Sequence, residues 1–277
     1  MQKHGAKLLG QHFTRCSWVV SAMIGAADIG PEDTVIEVGA GKGALTRELA
    51  KKAKRVIAVE KDNRLAEDYL QSEAGDNLEI VPGDILSVYG VLAANKKNSP
   101  FKIMGAIPYY LTSRLIRLIL EFPQKPKIAV LTVQKEVAHR MTERAPRGNL
   151  LALAAETRTD VEVIRDVPAR CFSPPPKVDS SIVRLSNISD AFFLQNSIHE
   201  KGFFDLLRAC FSQRRKTLGN SLGTYLKDKK TAIALLAESG VGASARPEEL
   251  PLHDWVRIYK RAAIHLSLHP KNISSFP

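Results

Sequence analysis

Thr34-Val-Ile-Glu-Val-Gly-Ala-Gly-Lys-Gly-Ala-Leu-Thr46 is the stretch from which the fold can be read. Val35, Ile36 and Val38 are β-branched and apolar, which marks a buried strand. Glu37 stands at the end of that strand, where an ordinary core does not place a carboxylate. Gly39, Gly41 and Gly43 follow at alternate positions. Lacking a Cβ, they let the backbone turn sharply and come close to a ligand. Ala44, Leu45, Leu49 and Ala50 then fall at helical spacing. Strand, glycine loop and helix in that order form the first half of a nucleotide-binding α/β unit.

The spacing decides which kind of nucleotide. A dinucleotide site reads G-x-G-x-x-G, and this stretch reads G-x-G-x-G. There is no G-x-x-x-x-G-K-[ST] phosphate loop either. A second strand, Arg55-Val-Ile-Ala-Val-Glu60, ends in a carboxylate 21 residues after Gly39. An acid there can accept both hydroxyls of a ribose. A third strand, Leu78 to Pro82, leads into Gly83-Asp84, whose carboxylate can accept from an adenine amino group. Taken singly, Glu60 and Asp84 read equally well as turn or cap acids. In this order, after successive strands and with Glu37 and the glycines, they describe a pocket for a nucleoside without a phosphate, such as S-adenosylmethionine.

Strand and helix patterns keep alternating on both sides of this unit. Residues 17–27 read as a covering helix, and 43–53, 64–73, 112–122, 134–143 and 149–157 as further helices. Strands are expected at 102–105, 127–133, 161–167 and 181–185. Such a succession makes an α/β fold with a doubly wound, mainly parallel sheet, whose last two strands add an antiparallel edge. Residues 187–201 read as a linker, and helical spacing dominates beyond it. Two domains follow: 1–187, which binds the nucleoside, and 188–277, a small helical domain. In an open α/β sheet ligands sit past the carboxyl ends of the strands. Gly39, Glu60, Asp84 and the turn Ala106-Ile-Pro-Tyr109 all fall at such ends, so one pocket can gather them.

The chain has 277 residues and a net charge of +11, with a pI near 9.6. That balance points to a polyanionic partner, most simply nucleic acid; a solubility charge spread over the surface is the plainer alternative. From residue 186 onward 13 Lys/Arg face 8 Asp/Glu, so this part carries +5 and the charge is shared along the chain. Cys16, Cys171 and Cys210 are widely spaced and odd in number, with no C-x-x-C and no metal spacing. Reduced thiols in a cytoplasmic protein, and no metal, are expected. No run approaches the ~20 apolar residues of a membrane span. Nothing marks an obligate dimer surface, so a monomer is expected.

Several short segments together resemble one family. They are Leu9-Gly-Gln-His-Phe13, Glu37 to Thr46, Val59-Glu-Lys-Asp62, Gly83-Asp84, Ile107-Pro-Tyr-Tyr110 and Gln134-Lys-Glu-Val137. To these add Phe172-Ser-Pro-Pro-Pro-Lys-Val-Asp-Ser180 and Phe211-Ser-Gln-Arg-Arg-Lys-Thr-Leu218. In this order they resemble the KsgA family of ribosomal RNA adenine N6,N6-dimethyltransferases, relatives of the Erm enzymes. The resemblance implies a Rossmann-like class I methyltransferase sheet and S-adenosyl-L-methionine as cofactor. It implies cofactor contacts from Gln11, His12 and Thr14 on the N-terminal arm, then Glu37, Gly39, Gly41, Glu60, Lys61, Asp84, Ile85 and Ala106. Ala106, Ile107, Pro108 and Tyr109 would form the catalytic turn. Tyr109 would stack the target base with Phe172 on its other face, and Arg214, Arg215 and Lys216 would touch phosphates. The partner implied is small-subunit rRNA in a pre-ribosomal particle, methylated on two adjacent adenosines of the 3′-terminal hairpin.

The sequence departs from the family at one position. The family's turn reads Asn-[IL]-Pro-Tyr, and residue 106 here is Ala. An adenine amino nitrogen is a poor nucleophile because its lone pair is delocalised into the ring. Hydrogen bonds from its N–H groups to the Asn oxygen and to the next carbonyl pull it towards tetrahedral geometry. A methyl group accepts no hydrogen bond. Weakened or absent methyl transfer is therefore expected, with a catalytically impaired pre-ribosome-binding assembly factor as the alternative. An Erm-type enzyme acting on large-subunit RNA is a third reading.

Overall fold

Val35, Ile36, Glu37 and Val38 are all buried in a strand flanked by others, and this central position organises the first half of the molecule. The structure is a computed structural model that describes residues 11–67, 75–94, 99–213 and 216–268. Its strands are β1 (Phe13–Thr14), β2 (Thr34–Val38), β3 (Arg55–Glu60), β4 (Leu78–Pro82) and β5 (Phe101–Ala106). They continue as β6 (Ile128–Gln134), β7 (Asp160–Val167), β8 (Phe172–Ser173) and β9 (Ser180–Ser186). Seven of them form one sheet in the order β4-β3-β2-β5-β6-β9-β7. Pairings from β4 to β6 are parallel, and β9 is antiparallel to both β6 and β7. The expected antiparallel edge is therefore present, with the fold of a class I methyltransferase sheet.

The inner strands are buried runs of Val, Ile, Ala and Leu, as a sheet covered on both faces requires. The helices that accompany these strands include α1 (Ser17–Ala27), α2 (Ala44–Ala50), α3 (Asn63–Leu65), α4 (Ile85–Ala94), α5 (Thr112–Glu121) and α6 (Lys135–Thr142). On α1 the apolar positions Val19, Val20, Met23, Ile24 and Ala27 all turn into the core. Between β2 and β5 the strand order reverses, which opens the crevice where ligands bind in such sheets. Gly105 lies at this point because a Cβ there would collide with the Val38 carbonyl.

One compact unit holds residues 1–139 and 159–189, and the other 140–158 and 190–277. The sequence boundary at 187/188 placed residues 140–158 with the first unit. Instead α7 (Leu150–Glu156) packs through Leu150, Leu153 and Ala154 into the second unit's core. That core is built on α8 (Ala191–Asn196), α9 (Glu200–Phe211), α10 (Leu218–Leu226), α11 (Lys229–Glu238) and α12 (Leu252–Leu268), around Trp255, Phe203 and Leu236. The expected linker at 187–201 thus contains a helix, α8. Arg158 is 4% exposed there. Glu200 at 2.5 Å pairs with it, and its guanidinium lies 4.7 Å from the Phe193 ring centre.

The cysteines differ from expectation. Cys16 and Cys171 form a disulfide, with Cα atoms 5.1 Å apart and a sequence separation of 155; Cys210 is free and buried. The antiparallel pairing of β1 with β8 brings the two together, since Thr14 pairs with Phe172 and Arg15 N–H donates to the Cys171 carbonyl at 2.8 Å. Neither two-residue strand shows in the sequence pattern. Among the described residues no helix is long and apolar enough to cross a membrane.

Candidate functional site

The glycine loop after β2 turns through three left-handed residues, Gly39 (φ 74°), Gly41 (φ 58°) and Gly43 (φ 75°). Gly41 has a second reason to lack a side chain: a Cβ would stand 3.0 Å from Phe13 Cδ1. The arm lies over the loop at this point, and Lys42 Nζ sits 5.1 Å from the Phe13 ring centre. His12 is tied to the Pro174 carbonyl at 2.7 Å. The two-residue pairing of β1 with β8 and the Cys16–Cys171 bridge hold the arm on the same side.

Under the arm lies a cavity of about 300 Å³. Gln11, His12 and Thr14 line it from the arm; Glu37, Gly39 and Gly41 from β2 and its loop. Glu60 and Lys61 line it from the end of β3, and Asp84 and Ile85 from the end of β4. Ala106 and Pro108 close it at the end of β5. All the residues assigned to the cofactor from the sequence share this one cavity. Phe13, Lys42, Tyr110 and Leu111 line it too and were not among them.

The carboxylates differ in state. Glu60 is 4% exposed and held by two backbone donors: Gly41 N–H to Oε2 and Asp62 N–H to Oε1, each at 2.8 Å. Each oxygen keeps a second lone pair for a ligand. Asp84 accepts from Lys61 Nζ at 2.9 Å and from Leu86 N–H at 3.0 Å. The Lys61 ammonium lowers the Asp84 pKa and keeps it an acceptor. Glu37 is 1% exposed, and its carboxyl is pushed up to about 7. Burial is the chief cause and the charge of Glu60 adds to it, while the Thr46 hydroxyl opposes them from outside hydrogen-bond geometry. Glu37 Oε2 has no hydrogen-bond partner among the described residues. An orphaned acid, a paired acid at the ribose position and a loop that a Cβ would obstruct all fit a nucleoside carrying a cationic group.

A smaller recess adjoins the cavity. Ala106, Ile107 and Pro108 line it together with His12, Tyr109, Thr132, Phe172 and Ser180. Tyr109 is half-buried, and its hydroxyl lies 2.8 Å from Ser180 Oγ. Burial raises the Tyr109 pKa, so it remains a neutral phenol. The His12 and Tyr109 ring centres are 5.9 Å apart. Phe172, expected to offer a stacking face, is 4% exposed and forms a wall of the recess. Lys216 is exposed, in the second unit; Arg214 and Arg215 lie outside the described residues. Thr132 and Ser180 were missed, because neither belongs to the turn that suggested the site.

Comparison with known proteins agrees with the geometry. The family model "Ribosomal RNA adenine dimethylase" matches residues 3–263. A Dehalococcoides mccartyi protein named ribosomal RNA small subunit methyltransferase A is 40% identical over 251 residues, 90% of this chain and 85% of that one. A dimethyladenosine transferase of Plasmodium falciparum superposes with a TM-score of 0.74 at 28% identity, covering 94% of this chain and 98% of that one. The 23S rRNA methyltransferase ErmE superposes at 0.68 and 29% identity, covering 90% and 98%. The motifs, the sheet and these matches agree, and the chain belongs to the ribosomal RNA adenine dimethylase family, a family of rRNA methyltransferases.

Proposed function

We propose that this protein binds S-adenosyl-L-methionine and dimethylates N6 of two adjacent adenosines in the 3′-terminal hairpin of small-subunit rRNA, at a rate lowered by Ala106. The observation that carries the reading is the placement of Ala106 and Pro108 on both the 300 Å³ cavity and the recess of Tyr109. A cofactor in the first and a flipped base brought to the mouth of the second, a recess of about 10 Å³, would meet at that turn. When bound, the cofactor supplies an electrophilic methyl on a sulfonium. The chain's own part is to hold the ribose through Glu60, the adenine amino group through Asp84, and the arm over both. Tyr109, held by Ser180, presents a ring face to the target base.

Small-subunit rRNA is favoured over large-subunit rRNA by the named relatives at up to 40% identity. The rRNA substrate implies the cytoplasm as the compartment, action on an assembling particle, and phosphate contacts by Arg214, Arg215 and Lys216. A monomer suffices, since one chain lines both pockets. Ala106 favours a second reading, an assembly factor that binds the particle and transfers little methyl.

The test is methyl incorporation into small-subunit particles lacking these groups, followed by mass mapping of the rRNA. The parent is expected to label adjacent adenosines slowly. Ala106→Asn is expected to raise the rate on the order of 10²–10³. Equal rates for the two would remove the role given to residue 106. Binding without label in either chain would leave the assembly-factor reading.

A further inference from the structure

Ala106 leaves the recess without the side-chain acceptor at that position, but a hydroxyl stands beside it. β5 and β6 are parallel, and Ala106 is in register with Thr132. Register partners on adjacent strands lie about 5 Å apart and present their side chains to the same face. Both residues line the recess of Tyr109. Thr132 is 3% exposed as a residue, yet its hydroxyl is not among the buried atoms left without a partner: it makes no hydrogen bond among the described residues and belongs to the lining of the recess. A hydroxyl that opens onto a recess and has no protein partner is free to meet a ligand there.

The other hydroxyls of the recess are paired with each other, and His12 has one ring nitrogen engaged. Ser180 Oγ pairs with the Tyr109 hydroxyl at 2.8 Å, and His12 Nδ1 with the Pro174 carbonyl at 2.7 Å. Thr132 is the hydroxyl that remains, and it lines the recess beside the Ala106–Tyr109 turn.

We propose that Thr132 Oγ1 accepts the hydrogen bond from the target adenine's N6 amino group that residue 106 does not, and so positions the nucleophile in this chain. The proposal rests on the adenine-methylating reading above and names the group that sustains its residual rate. Threonine suits the task because its oxygen keeps two acceptor lone pairs, and its own proton can point to a backbone carbonyl or to the base.

Single-turnover methyl incorporation into undermethylated small-subunit particles tests it, with the parent, T132V, T132S, A106N and A106N/T132V compared. S-adenosylhomocysteine affinity and melting temperature are measured alongside. The expected result is a loss of at least about tenfold for T132V in the parent, recovery in T132S, and a much smaller loss for T132V in the A106N background. Cofactor affinity should stay the same in T132V. An unchanged rate in T132V, or the same loss in both backgrounds, overturns the proposal while leaving the adenine-methylating reading in place. A parent without activity beside an active A106N also overturns it. If A106N and the parent both transfer nothing, the underlying reading fails and the role of Thr132 falls with it.

Discussion

Glu60 Oε2 accepts the Gly41 backbone N–H at 2.8 Å, joining the end of β3 to the middle of the glycine loop across 19 residues of sequence. Glu60 therefore shapes the loop as well as facing the cavity. In Glu60→Gln the amide group would set a donor against either the Gly41 or the Asp62 N–H. An unsatisfied buried donor costs about 1–3 kcal/mol. The expected outcome is a melting temperature several degrees lower and S-adenosylhomocysteine affinity reduced at least about tenfold. Differential scanning fluorimetry and titration calorimetry on the same sample check both.

Gly41→Ala places a methyl 3.0 Å from the Phe13 ring at a residue whose φ is +58°. The left-handed conformation alone costs an ordinary residue about 1–2 kcal/mol. Moving the ring aside is the remaining relief, and it lifts the arm. Trypsin should then cut after the exposed Arg15 faster than in the parent, and cofactor affinity should fall. Cleavage rates with and without saturating S-adenosylhomocysteine measure the effect; an arm cut no faster would show that Phe13 does not rest on this glycine.

The Cys16–Cys171 bridge closes a long loop and anchors the arm beside β8. Alkylation of the unfolded, unreduced chain should label Cys210 alone. Reduction, or Cys16→Ser, should lower stability by about 2–5 kcal/mol, the usual range for a native bridge. Peptide mapping by mass spectrometry and denaturant titration give the two readings.

The sheet could be read from the sequence because its strands are short β-branched runs separated by glycine and acid signals. Val35 to Gly43 and Arg55 to Glu60 stand out against almost any background. The acids of the cavity were also readable, since each falls at or next to the end of a strand. What escaped depends on contacts between segments far apart in sequence. Phe13 and Ser173 pair across 160 residues, and the disulfide follows from that pairing. Thr132 sits inside an apolar strand and gains meaning only from its register with Ala106. Residues 140–158 belong with the second unit because Leu150 and Leu153 pack there. The helical pattern was visible, but not which core it serves.

Glu37 offers a measurement that does not depend on RNA. Its pKa is raised from 4.5 to about 7, chiefly by burial. Between those values the folded chain holds a proton that the unfolded chain has released. Stability therefore falls as pH rises from 4.5 to about 7 and levels beyond. A displacement of that size corresponds to up to about 3 kcal/mol. Glu37→Gln removes the titration, so the cofactor-free variant should match the parent near pH 4.5 and exceed its stability at pH 8. Saturating S-adenosylhomocysteine should narrow the gap at pH 8, because a cationic donor on the ligand gives Glu37 Oε2 the partner it otherwise lacks. Denaturant titrations of both chains across this range decide it: parallel pH profiles would mean that the Glu37 carboxyl titrates in the folded chain as it does in the unfolded one.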